Sequence, residues 1–185
     1  MLTIVVLASA GYLTSSLRQR DDVSKPRTVE LDSPTEVGAR EAVRPFRLTG
    51  GDGKSIPFEQ FKGQVVILSF WASWCTPCLL EMPTLADVEK EFEGRGLKVV
   101  AVSVDEDDGG RTSARDFWKS KAVAFPTFFD LDRKLQGQFK VDMLPSNLVF
   151  DRAGRVAFKS FGANDWSSAQ TLDLLEALVQ EAPQG

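Results

Sequence analysis

The sequence predicts an α/β fold, a central mixed β-sheet flanked by helices. Two continuous apolar runs, Val65-Val66-Ile67-Leu68-Ser69-Phe70 and Leu97 to Val104, read as strands buried on both faces, which need helices above and below. Between them, Cys78, Met82, Leu85, Val88 and Phe92 recur near helical spacing and supply a crossover. A later hairpin and a closing amphipathic row complete the order β-β-β-α-β-α-β-β-α.

Taken in order, Phe46 to Leu48 and Ile56 to Phe58 flank the turn cluster Gly50-Gly51-Asp52-Gly53, so an extra N-terminal hairpin precedes the first buried strand. Phe61-Lys62-Gly63 turns the chain into that strand. The helix that follows contains Pro83, which removes the bond to the Leu79 carbonyl and predicts a kink; Gly94 and Gly96 end it. Thr112 or Ser113 is the expected cap of a helix through Phe117 and Trp118. Phe125 to Leu131 is a short extended or helical piece, and Pro126 argues against a central strand there. Asn147-Leu148-Val149-Phe150 and Val156 to Phe161 flank Asp151-Arg152-Ala153-Gly154, a second hairpin. The last helix is expected from about Ser167 to Glu181, with Leu172, Leu175 and Val179 on one face. Trp71 and the phenylalanines 128, 129, 139, 158 and 161 are assigned to the core, and Trp74 to a partly exposed position.

Three zones divide the 185 residues. Leu2 to Leu13 is an apolar run too short to span a bilayer, which needs about 20 residues. Its length suits a signal segment, and Ala8-Ser9-Ala10 resembles a cleavage site, although no Lys or Arg precedes Arg18. Residues 1–17 are therefore expected to be a signal or membrane-anchor segment. Residues 18–43, rich in charge, Ser, Thr and Pro, are expected to be a flexible tether, and 44–185 the folded domain.

The chain contains two cysteines and no histidine. That composition rules out Ser-His-Asp and Cys-His catalysis and any His-ligated metal, and it leaves at most half of a structural zinc site. The net charge of −4, with no basic stripe, argues against nucleic-acid binding. The acidic run Asp105-Glu106-Asp107-Asp108 is expected to be a solvated loop.

Both cysteines lie in Phe70-Trp71-Ala72-Ser73-Trp74-Cys75-Thr76-Pro77-Cys78. Closing so short a loop stabilises a fold by only about 2 kcal/mol, so the spacing suits redox chemistry better than cross-linking. A helix N-terminus favours a thiolate at Cys75, where unpaired N–H groups and the macrodipole meet it. Pro77 is tolerated in that first turn because its missing N–H would be unpaired there anyway. Cys78, three residues on, shares the face of Met82 and Leu85 and points inward, a poor first nucleophile and a good intramolecular one. Glu81, three residues further, flanks the apolar row. A carboxylate half-buried there is a candidate to take the Cys78 proton.

These residues carry a resemblance. A strand ending in Phe-Trp-Ala-x-Trp-Cys-x-Pro-Cys, then Glu81, Pro83 and a later Pro145, resembles the thioredoxin-like fold. More narrowly it is similar to the membrane-anchored bacterial thiol–disulfide oxidoreductases of the TlpA/ResA type, which include cytochrome-c-maturation thioredoxins. The likeness covers about Arg44 to Glu181. It implies that Cys75 is the exposed nucleophile, Cys78 the resolving thiol, and Glu81 the acidic group beside it. It also implies that Pro145 is a cis-proline facing the disulfide. Leu144 would then offer its backbone to an extended partner peptide, with Trp74, Thr76 and Pro77 completing the docking surface. Met143 and Leu144 depart from the family, which places a small residue at the first position and Thr, Val or Tyr at the second.

The implied activity is reduction of protein disulfides by an exported or membrane-tethered monomer in the bacterial periplasm. It needs no cofactor beyond the Cys75–Cys78 disulfide, and it has apocytochrome c as a family-type substrate and a membrane electron donor for re-reduction. Competing readings are a disulfide donor or isomerase of the same fold, a peroxiredoxin-type peroxidase, and a chaperone or metal-delivery module that uses the pair as a thiolate clamp. The peroxidase usually wants Pro-x-x-x-Thr-x-x-Cys, whereas Ala72 stands three residues before Cys75.

Overall fold

The computed structural model describes residues 40–106, 108–121 and 125–182. The expected signal or anchor segment 1–17, and the expected tether up to residue 39, lie outside the described residues. The elements are β1 (Glu41–Ala42), β2 (Arg47–Gly50), β3 (Ser55–Pro57), a 3₁₀ turn (Phe58–Phe61), β4 (Val65–Trp71), α1 (Thr76–Glu91), β5 (Leu97–Ser103), α2 (Asp108–Lys121), β6 (Thr127–Phe129), α3 (Lys134–Phe139), β7 (Ser146–Phe150), β8 (Arg155–Phe161) and α4 (Ala169–Gln180). They form the expected thioredoxin-like fold. One mixed sheet runs β1-β8-β7-β4-β5-β6-β2-β3, and the expected N-terminal hairpin is β2–β3 at its edge.

The centre of the sheet follows from the apolar runs. All seven residues of β4 are buried; the strand pairs parallel with β5 and antiparallel with β7. On one face, Phe150 of β7 meets Phe58 at a ring separation of 4.7 Å, and Phe46 stacks on Phe58 at 4.4 Å. Phe139 of α3 closes this cluster, 5.0 Å from Phe46. On the other face, Met82, Leu85 and Val88 of α1 are buried, as are Leu175, Leu178 and Val179 of α4. Ser168 caps α4 by accepting from the Thr171 N–H.

Helix α1 runs in one piece past Pro83, which lies on its exposed side. Several expectations change. Helix α2 starts at Asp108, ahead of Thr112 and Ser113. Residues 127–129 are a strand inside the sheet, parallel to β5. Pro126 is tolerated because it stands just before the strand and contributes only its carbonyl, which accepts from the Ala101 N–H. Helix α3 is an addition to the expected order. It has no Ser or Thr cap and is flanked by left-handed Arg133 and Lys140; the Asp130 carboxylate supplies the missing acceptors for the N–H groups of Leu135 and Gln136. Phe161, assigned to the core, is about half exposed at the end of β8. The sheet takes in Glu41 and Ala42, so ordered structure begins ahead of Arg44.

Arg40 ties this start to the rest of the domain. Its guanidinium reaches the buried Asp151 at 3.0 Å and Glu181, just beyond α4, at 2.5 Å. Asp151 also holds the β7–β8 turn by accepting from the N–H groups of Ala153 and Arg155.

Candidate active site

Strand β4 delivers Trp71 and Ala72 to the end of the sheet where the chain turns into α1. Asp105 fixes that turn. Its carboxylate accepts from the Ser73 N–H at 3.0 Å, the Ser73 hydroxyl at 2.8 Å and the Ser103 hydroxyl at 2.7 Å. Asp105 is thus buried rather than part of a solvated acidic run, while Glu106 beside it is exposed and paired with Arg133. Cys75 is the N-cap of α1, and its Sγ accepts from the Cys78 N–H at 3.3 Å. The two sulfurs form a disulfide, with Cα atoms 5.3 Å apart. Cys75 is 5% exposed and Cys78 is fully buried, so a partner meets Cys75 first.

A groove of about 570 Å³ opens over Cys75. Trp74, Thr76 and Pro77 form one wall, and Val141 to Leu144 the other. Trp74 is 70% exposed and Met143 54%, so each wall offers a large apolar side chain, while Glu106, Arg133 and Asp142 add charge to the lining. The Leu144–Pro145 bond is cis, and the Ser146 hydroxyl donates to the Met143 carbonyl at 2.7 Å, bracing the loop. Of the residues singled out from sequence, Trp74, Cys75, Thr76, Pro77 and Leu144 meet in this groove; Pro145 follows Leu144, and Cys78 and Glu81 lie outside the groove lining.

Glu81 is not half-buried but 1% exposed. Its Oε1 accepts from the Trp166 indole N–H, from Asn147 Nδ2 at 3.0 Å and from the Asn164 N–H at 3.2 Å. Burial pushes its pKa up to about 7, against the opposing pull of those three donors. Sequence reading missed Asn147, Asn164, Trp166 and Asp105. Asn147 left a trace, as the one amide in the buried strand Ser146–Phe150.

Among the described residues, no helix is long and apolar enough to cross a membrane. The model of the AhpC/TSA family matches residues 39–159. A thiol-disulfide oxidoreductase ResA of Bacillus cereus is 31% identical over 136 residues, covering 74% of this chain and 73% of that protein. ResA of Bacillus subtilis is 36% identical over 111 residues, covering 60% of each. A crystal structure of a secreted thiol-disulfide isomerase from Corynebacterium glutamicum superposes with a TM-score of 0.71 at 24% identity, over 80% of this chain and 92% of that one. At that identity the likeness shows the fold alone.

Proposed function

The chain belongs to the AhpC/TSA family of thioredoxin-like proteins and is a thiol–disulfide oxidoreductase of the ResA type, and from that premise we propose that it reduces protein disulfides. The observation that carries this reading is the Cys75–Cys78 disulfide beneath an open groove lined by Trp74, Pro77, Met143 and Leu144. In the reduced form, the Cys75 thiolate attacks one sulfur of a partner disulfide lying extended along Leu144. The partner's other sulfur leaves as a thiolate and a mixed disulfide forms. Cys78 gives its proton to Glu81 and attacks Cys75 Sγ. The reduced partner departs, and an external dithiol must then reduce Cys75–Cys78 before the next cycle.

The apolar run Leu2–Leu13 favours export or a membrane anchor, hence a domain on the extracytoplasmic side of a bacterial membrane. A membrane electron donor would re-reduce it there, and apocytochrome c is the substrate that the TlpA/ResA resemblance suggests. Ala72 in place of a threonine disfavours the peroxidase reading.

Equilibrating the pair with a defined thiol buffer tests the direction of electron flow. A reductase should lie near thioredoxin's value of about −270 mV, whereas a value near about −120 mV would make the protein a disulfide donor instead.

Glu81→Gln tests the proton acceptor. It should slow attack by Cys78 about 100-fold and leave attack by Cys75 intact. A second readout is stability. The folded pKa lies above the ordinary glutamate value of 4.5, so the folded chain keeps a proton that the unfolded chain loses as pH rises. The stabilisation from this proton is complete below pH 4.5 and gone above about 7. Urea melts of Glu81→Gln should show no such decline, and a decline as steep as in the parent would assign it to another group.

A further inference from the structure

One oxygen of Glu81 takes every polar contact its carboxylate makes. Trp166, Asn147 and Asn164 all donate to Oε1, while Oε2 is buried and has no hydrogen-bond partner. Two of those donors cannot reverse. An indole N–H and a backbone N–H donate only, so a proton placed on Oε1 would point at hydrogens it cannot bond. An amide such as Asn147 could flip to accept; Trp166 could not.

Trp166 is itself held firmly. It is fully buried and stacks on Phe158 at 6.4 Å. Its backbone N–H donates to Thr84 Oγ1 at 3.3 Å, and the Thr84 hydroxyl in turn donates to the Glu81 carbonyl at 2.8 Å. The loop before α4 is thereby locked to the turn of α1 that carries Glu81, and the indole reaches the carboxylate from that fixed position.

We propose that Trp166 is a positioning residue for the exchange reaction: by occupying Oε1 of Glu81 it makes Oε2 the oxygen that receives the Cys78 proton. This rests on the reading of Glu81 as proton acceptor. The proton passes from the Cys78 thiol to Oε2. The Cys78 thiolate then forms the bond to Cys75 Sγ as the bond from Cys75 to the partner breaks, and the partner leaves as a thiolate.

The groups around Glu81 leave this proton little else to respond to. Strand β7 presents Asn147. Its neighbours in register, Ser69 of β4 and Ser160 of β8, lie on the same face, and none of the three titrates. The loop presents Asn164 and Trp166. Lys159 lies on the opposite face of β8, and Asp165 is exposed and engaged by Ser167. Cys78, one turn back on α1, is the titratable neighbour. Burial raises the Glu81 pKa and the indole donor lowers it, so removing the donor must raise it further.

The test uses the reduced protein and 5,5′-dithiobis(2-nitrobenzoate), whose first coloured thiolate reports attack by Cys75 and whose second reports attack by Cys78. In Trp166→Phe, the pH midpoint of the second phase should rise by about one unit above that of the parent, slowing that phase about fivefold at the parental midpoint. The first phase should not change. Asn147→Leu removes a different donor from the same oxygen and should move the midpoint the same way; it carries the test if Trp166→Phe does not fold. A midpoint that stays in place while Glu81→Gln slows the second phase would overturn the role of Trp166 alone. A second phase untouched by Glu81→Gln would overturn the proton acceptor itself, and this proposal with it.

Discussion

Cys75→Ser should lower turnover of a protein disulfide about a thousandfold or more, to the level of the uncatalysed reaction. A serine hydroxyl stays protonated and does not attack sulfur, and the chain offers no substitute nucleophile at the surface. Its only other cysteine, Cys78, is fully buried. Cys78→Ser should behave differently. It keeps the first attack and stops there, leaving one partner covalently bound to Cys75, which intact-mass measurement detects as a single adduct. Turnover surviving in Cys75→Ser, or adducts on Cys78 in place of Cys75, would reverse the order of the two thiols.

The largest effect on stability is expected at the other end of β7. Phe150 is fully buried and lies 4.7 Å from Phe58, 6.0 Å from Phe139 and 6.2 Å from Phe46 in ring separation. Those partners come from the 3₁₀ turn, from α3 and from the segment leading into β2, so one ring joins three parts of the chain to the central sheet. Phe150→Ala should cost about 3–5 kcal/mol and lower Tm by about 10 °C. Because the ring lies five residues from Pro145, the folded variant should exchange disulfides at the parental rate. A change in the urea midpoint worth less than about 1 kcal/mol would mean that the neighbouring rings collapse into the space.

Local pattern carried most of the architecture. The runs at 65–70 and 97–104 could be read as strands because both their faces are buried, and the rows after Cys75 and Ser168 as helices because one face is. Helix α3 had no such pattern. Its acceptors come from Asp130, a residue outside the helix, and its left-handed ends are occupied by Arg133 and Lys140, which give no turn signal. Pro126 misled for a related reason: a proline immediately before a strand removes no ladder hydrogen bond. At the site, the cysteines were legible from spacing alone. The surroundings of Glu81 were not, because Asn147, Asn164 and Trp166 lie 66 to 85 residues away in sequence and only the sheet order brings them together. Asp105 was misread because a run of four acidic residues averages out the one that turns inward to hold Ser73.

The Arg40 clamp gathers the segment entering β1 and the segment leaving α4 at Asp151, about 17 Å along β7 from the proline loop. Cargo, label or solid support joined at either of these points is therefore attached at the pole remote from the reactive sulfur. Such a conjugate should remain as accessible to a bulky disulfide as the free domain.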